Sequence, residues 1–287
     1  FTSSCTGLSC TFDAANSADT DGTITSYAWN FGGGATATGP TASRTFAAAG
    51  TYTVTLTVTD DDAATGTASR QVTVTQPTAA NVAFRASGGT NLNSTSPSVT
   101  IPASVQAGDV MVLFSTVNRS DTTVTGPAGW TLVNSVSDAT AGVQSHLWTR
   151  TATATDAGTT VRTTNGLIAK TALQVAAYSS ASGISAQAVS LDAINRAERT
   201  TPLVPVATAG SALVSYWADK STDTTTWTVP AAAALRNLSV GTSSGHITAA
   251  LADTGSLVAG TGGGLTATAN SVNRRGVVWS VVIAPSV

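Results

Sequence analysis

His146, Trp148 and Arg150 alternate with Leu147 and Thr149. In an extended strand successive side chains point to opposite faces, so these three share one face, about 7 Å from one to the next. An imidazole, an indole and a guanidinium in line make a stacking and hydrogen-bonding surface of the kind that holds sugars, with C–H faces on the indole and hydroxyls on planar donors. Trp217, in Ser215-Tyr216-Trp217-Ala218-Asp219, offers an alternative platform. These four residues form the expected ligand-binding set, and a polysaccharide or cell-surface glycan is the expected partner. The competing reading puts Trp148 and Trp217 in the core and gives His146 and His246 structural roles. Trp130, Trp227 and Trp279 read as core or turn residues.

No comparable set supports catalysis. Glu198 is the only glutamate, and it stands in Asn195-Arg196-Ala197-Glu198-Arg199, read as the loop joining two halves. Glycoside hydrolysis needs two carboxyl groups facing each other across a cleft, and Asp192, Asp219, Asp223 and Asp253 offer no recognisable pair. Neither histidine has a nucleophile elbow to serve. Gly260-Thr261-Gly262-Gly263-Gly264 precedes no helical pattern and reads as a turn, not a phosphate cradle. The expectation is therefore no catalytic residues and no cofactor. The alternative is a polysaccharide-degrading enzyme with an unobvious site. Calcium as a structural ion would draw on Asp19 and Asp21 in one turn and on the run Asp60-Asp61-Asp62. Neither cluster supplies the six to eight oxygens calcium takes, and aspartate is a routine turn former.

Composition bounds the partners. The net charge is −2, 10% of residues are charged, and only Lys170 and Lys220 are lysines. No basic stripe exists to bind nucleic acid. No uninterrupted apolar stretch approaches the roughly 18 residues of a membrane helix, so no membrane insertion is expected. Threonine and valine favour pleated strands, and long helix formers are scarce. Cys5 and Cys10, the only cysteines, bracket the short turn Thr6-Gly7-Leu8-Ser9. They read as a hairpin disulfide, which points to an oxidising, extracellular or cell-surface location; two free buried thiols are the alternative. The chain starts at Phe1 without a signal peptide, as a piece of a larger processed polypeptide would.

These patterns predict an all-β chain in two domains, residues 1–76 and 81–287, with a Pro-containing linker at 77–80. The clearest strand is Gly50 to Asp60. There Tyr52, Val54, Leu56 and Val58 share one face while threonines line the other, a period of two that marks one buried and one wet face. Short strands with turns at this spacing indicate an antiparallel sandwich.

Cys5-Thr-Gly-Leu-Ser-Cys10-Thr-Phe-Asp13, Asp19-Thr-Asp-Gly22, Tyr27-Ala-Trp-Asn-Phe-Gly32 and Ala49-Gly-Thr-Tyr-Thr-Val-Thr-Leu-Thr-Val-Thr-Asp60 together resemble a bacterial PKD domain. The resemblance covers nearly all of residues 1–76. It implies an immunoglobulin-like sandwich with Trp29 and Tyr52 in its core, of a kind that commonly serves as spacer or accessory module in secreted hydrolases and surface proteins. Family members usually carry Trp-Asp-Phe-Gly-Asp-Gly, whereas this chain has Asn30 and Gly33 at the two acidic places. That departure weakens any cation site built on those carboxylates.

Residues 81–287 read as an internal duplication, with halves at about 81–184 and 185–287. Thr95-Ser96-Pro97 and Ala107-Gly108-Asp109-Val110 in the first half match Thr200-Thr201-Pro202 and Ala209-Gly210-Ser211-Ala212 in the second. Polar loops and strands running into Pro127 and Pro230 follow. Ser145-His146-Leu147 is set beside Gly245-His246-Ile247, and Leu173 to Tyr178 beside Val277 to Val282. Such a repeat suggests a jelly-roll-like antiparallel β-sandwich. The runs Ala107-Gly-Asp-Val-Met-Val112 and Pro127-Ala-Gly-Trp-Thr-Leu-Val133 resemble a domain of secreted actinobacterial proteins, from which no chemistry carries over. The expected function is a non-catalytic accessory region that binds polysaccharide through the second domain, with the first as spacer. A structural or adhesive surface protein is the alternative.

Overall fold

The computed structural model describes residues 1–76, 80–140 and 142–286. They hold strands and no helix, in two compact units, Phe1–Thr78 and Ala79–Val287. Residues 77–79 of the expected linker 77–80 lie outside the described residues.

The first unit runs through β1 (Thr2–Thr6), β2 (Ser9–Asp13), β3 (Ile24–Asn30), β4 (Thr36–Thr38), β5 (Thr41–Thr45), β6 (Gly50–Asp60) and β7 (Thr65–Val74). One sheet has the order β1-β2-β5 and the other β4-β3-β6-β7. Their apolar faces meet in one core around Phe12, Trp29, Phe31, Phe46, Val54 and Leu56. Burying each such aliphatic or phenylalanine side chain contributes about 1.5–3 kcal/mol. The Trp29 indole N–H, buried with the ring, donates to the Gly39 carbonyl at 2.8 Å. Tyr52 packs at the margin of the core and donates to Ala48 O at 2.9 Å. Cys5 and Cys10 stand opposite each other across the β1–β2 hairpin and are joined by a disulfide.

The second unit begins with β8 (Ala83–Ser94), β9 (Ser98–Thr100), β10 (Val110–Val117), β11 (Val124–Thr125), β12 (Thr131–Asp138), β13 (Val143–Thr151), β14 (Thr160–Arg162), β15 (Thr164–Asn165) and β16 (Ala169–Ser179). It continues with β17 (Ala181–Asp192), β18 (Arg196–Thr200), β19 (Val204–Val206), β20 (Ala212–Ser221), β21 (Trp227–Thr228), β22 (Ala234–Val240), β23 (His246–Asp253), β24 (Gly260–Gly262), β25 (Thr266–Asn273) and β26 (Gly276–Pro285). Glu198 and its neighbours, expected in a loop, form β18, and the glycine run at 260–264 supplies β24.

The duplication is explicit in the topology. The first half builds the sheet β12-β13-β10-β16-β8 and the second β22-β23-β20-β26-β17, the same order strand for strand. Short ribbons recur as well: β9–β14 and β11–β15 in the first half, β19–β24 and β21–β25 in the second. The shared Ala-Gly turn before β10 and β20 puts Gly108 at φ +90° and Gly210 at +85°, a left-handed conformation that glycine adopts without strain.

One face of each five-stranded sheet packs against the other half. Val112, Phe114 and Leu147 meet Val214, Tyr216 and Trp279 in a common core. Phe114 and Tyr216, at equivalent positions, stack at 4.6 Å with their rings 5° from parallel, so a pseudo-twofold relation passes between them. The opposite faces are also buried, under the ribbons of their own half. Each half is thus a two-layered sandwich of its own.

Register corrects two of the paired landmarks. With Val110 matched to Ala212, Tyr178 on β16 corresponds to Ile283 on β26, one residue from the expected Val282. A slip of one residue moves every side chain to the other face. Phe114 faces Leu147 and Tyr216 faces Leu251, so His146 corresponds to Ala250 and not to His246.

Candidate functional site

His146, Trp148 and Arg150 do share a face of β13, but that face is covered. Ile101 and Val99 near β9, with Val161 of β14, pack over Met111, Leu113, Trp148, Leu173 and Val175. Trp148 is left 3% exposed and His146 8%. Their rings stack at 5.3 Å and 10°, and burial pushes the His146 imidazole down to about 4, which keeps it neutral. Trp217 is 0% exposed, packs with Trp227, Ala250, Ala252 and Val278, and donates its indole N–H to Arg199 O at 3.0 Å. The expectation of a solvent-facing platform at His146, Trp148 and Trp217 is therefore corrected. The alternate face of each strand meets a second layer of protein, not water.

Arg150 escapes that layer. Its guanidinium pairs with Asp156 at 3.0 Å and keeps 27% of its side chain exposed. Asp156 Oδ2 accepts from the backbone N–H and hydroxyl of Thr153 at 2.6 and 2.8 Å. Burial raises the Asp156 carboxyl, but the Thr153 bonds and the charge of Arg150 together hold it below its ordinary value. The carboxylate is thereby fixed as an anion, and the guanidinium is held in one orientation.

Arg150 lines a hollow of about 280 Å³ together with Trp130, Pro127, Asp156, Thr160 and Arg162. Trp130 closes the turn Pro127-Ala128-Gly129-Trp130, its N–H donating to Pro127 O at 3.2 Å, and its indole is half-buried. Arg162 is exposed. The second half keeps the same turn, Ala233 N–H donating to Pro230 O at 2.9 Å, but a methyl group stands where Trp130 carries an indole. An aromatic face with flanking guanidinium and hydroxyl donors suits a ring that is apolar on its faces and polar on its rim. The sequence places Trp130 in a turn; an aromatic side chain on a surface turn is the signal that marks it out, since loops carry binding residues on a rigid scaffold.

Asp192 and Asp219 both bind the buried Arg199 guanidinium. Burial raises Asp219 to about 6 against the opposing pull of Arg199. In the first unit, Asp19 Oδ1 caps Thr20 N–H, Asp60 Oδ1 caps the N–H groups of Asp62 and Ala64, and Asp61 Oδ1 caps that of Thr23. Among the described residues no three His, Cys, Asp or Glu side chains converge as a metal site. Asp19, Asp21, Asp60, Asp61 and Asp62, the expected calcium ligands, are not grouped in this way, and the contacts of Asp19, Asp60 and Asp61 are those of turn formers.

A family model described as PKD domain matches residues 2–75. The pre-pro-metalloprotease PrtV of Vibrio cholerae is 44% identical over 63 residues, which are 22% of this chain and 7% of that protein. The chain thus matches only a small part of that relative's length. The crystal structure of the PKD1 domain of Vibrio anguillarum Epp is 44% identical, with 27% of this chain and 90% of that one covered at a TM-score of 0.26. A structure described as that of carbohydrate-binding modules from the β-sandwich superfamily spans 93% of this chain and 92% of its own at 16% identity and a TM-score of 0.25, too distant a likeness to argue from. Residues 2–75 are a PKD domain, and a larger antiparallel β-sandwich follows them.

Proposed function

We propose that the chain is a non-catalytic accessory region of an extracellular bacterial protein, and that its second unit binds polysaccharide at the Trp130 hollow, with the PKD domain as spacer. The observation that carries this reading is the meeting of a half-buried indole, an oriented guanidinium and an exposed one in a single hollow. Of the four residues expected to bind ligand, Arg150 alone belongs to it. The Cys5–Cys10 disulfide supports an oxidising compartment, and the similarity to part of a pre-pro-metalloprotease supports membership of a larger polypeptide.

Single stacking and hydrogen-bonding contacts are worth about 1 kcal/mol each, so affinities between micromolar and millimolar are expected. A glycan array with the full chain would select the ligand, and calorimetry would then compare variants. Trp130→Ala should abolish measurable binding with little change in melting temperature. Undiminished binding by that variant would refute the assignment.

A further inference from the structure

We infer that the β25–β26 turn, Asn273-Arg274-Arg275-Gly276, forms with Lys220 a second binding site in this unit, one that takes the anionic groups of an acidic polysaccharide. It shares no residue with the Trp130 hollow and does not depend on that reading. Lys220, Thr222, Ser244, Arg274 and Arg275 line a cleft of about 330 Å³. A second hollow of about 490 Å³, lined also by Asp138, Thr140 and Ala193, has the same two arginines in its wall.

The two arginines of this turn differ from those of β18. Arg196 and Arg199 are both paired with carboxylates, whereas the side chains of Arg274 and Arg275 make no ion pair or hydrogen bond among the described residues. Lys220 is held beside them: its backbone N–H donates to Arg275 O at 2.9 Å, and its ammonium donates to Gly142 O at 2.8 Å. Burial, then the charge of Arg275, lowers the Lys220 ammonium against the opposing charge of Asp121. Three cations thus share a cleft lined by the carboxylate of Asp223, with Asp138 in the wall of the adjoining hollow and the charge of Asp121 acting on Lys220, on a chain of net charge −2.

The turn is also built rigidly. Asn273 accepts from the buried Arg199 guanidinium through its carbonyl at 2.8 Å and its Oδ1 at 3.0 Å. Its amide donates to Asp219, and its Oδ1 accepts the Arg275 N–H at 2.9 Å. At Gly276 a Cβ would run into the buried Arg199 guanidinium, so glycine lets the chain pass over it. A buried ion network is costly to desolvate; here it fixes the backbone that presents two adjacent arginines, which spares a ligand the entropy of ordering them. Planar guanidinium groups match carboxylate and sulfate oxygens, and the hydroxyls of Ser221, Thr222 and Ser244 supply donors for sugar hydroxyls.

Native electrophoresis of the full chain through gels containing polygalacturonate, dextran sulfate or neutral dextran tests the site. Retardation is expected in one or both acidic gels, weaker at high salt, and absent in dextran; the two acidic polymers distinguish carboxylate from sulfate. Arg274→Gln with Arg275→Gln should weaken apparent affinity about fivefold or more, the scale of two exposed ion pairs. Arg44→Gln with Arg70→Gln, the same change of charge in the first unit, should not. Should the first pair melt early, Arg274→Lys with Arg275→Lys keeps the charges and should restore retardation. Equal weakening by the two charge pairs, failure of the lysine pair to restore retardation, or no retardation of the unaltered chain in either acidic gel would overturn the proposal.

Discussion

Trp148 and Trp130 carry the same indole into opposite circumstances. Trp148 sits in the middle of β13 under the β9 and β14 ribbon, with its ring stacked on His146. Trp130 sits in a turn at the rim of that layer. Trp148→Ala should therefore cost about 3–5 kcal/mol in urea unfolding, as for other buried large-to-small changes; a loss under about 1 kcal/mol would show that the ribbon does not seal the ring. His146 makes the same point through pH. Its folded value of about 4 lies below the ordinary 6.5, so between those values the unfolded chain binds a proton that the folded one refuses. Stability from this residue falls as pH drops from about 6.5 to about 4, by at most about 3 kcal/mol. Asp219, raised to about 6, acts in the opposite sense over much of that window, since its folded form holds the proton longer. The difference between the unaltered chain and His146→Gln isolates the histidine. The variant should lose stability less steeply between pH 6.5 and 4, and parallel profiles would contradict the buried, neutral imidazole.

At the scale of elements, alternation was the most legible signal and also the source of the errors. It puts Val54, Leu56 and the β6 threonines on their proper faces, and likewise Val112 and Phe114, because period two is a local property. It groups His146, Trp148 and Arg150 correctly. It cannot reveal that the other face meets a second layer, because β9, β11, β14 and β15 are only two or three residues long and leave almost no pattern of their own. The same shortness hid the hollow, whose lining comes from a turn, two strand ends and a loop. Close packing between these layers is testable at Gly126, where a Cβ would run into the Trp148 indole. Gly126 has no left-handed φ, so Gly126→Ala probes sterics without backbone strain. It should destabilise the unit by about 1–3 kcal/mol in thermal melts; a neutral effect would place the ribbon farther from the sheet.

At the scale of the whole second unit, duplication makes the fold and divergence makes the site. The two halves exchange clasps. Lys170 of the first donates to Ser244 O of the second at 2.6 Å, and Lys220 of the second donates to Gly142 O of the first. Repetition in the sequence was visible through the Ala-Gly turns and the proline-bounded strands. The register was not, since a small-residue repeat tolerates shifts of one to four positions without obvious loss of match. Divergence is plainest where Trp130 replaces the alanine of the other half. Five of the six tryptophans, Trp29, Trp148, Trp217, Trp227 and Trp279, are at most 3% exposed, so a water-borne oxidant should reach Trp130 first. Oxidation by N-bromosuccinimide, mapped by mass spectrometry with and without the array-selected polysaccharide, therefore reads the binding site directly. The account predicts that Trp130 is modified first and is protected by the glycan. Unchanged oxidation of Trp130 at saturating glycan would contradict it.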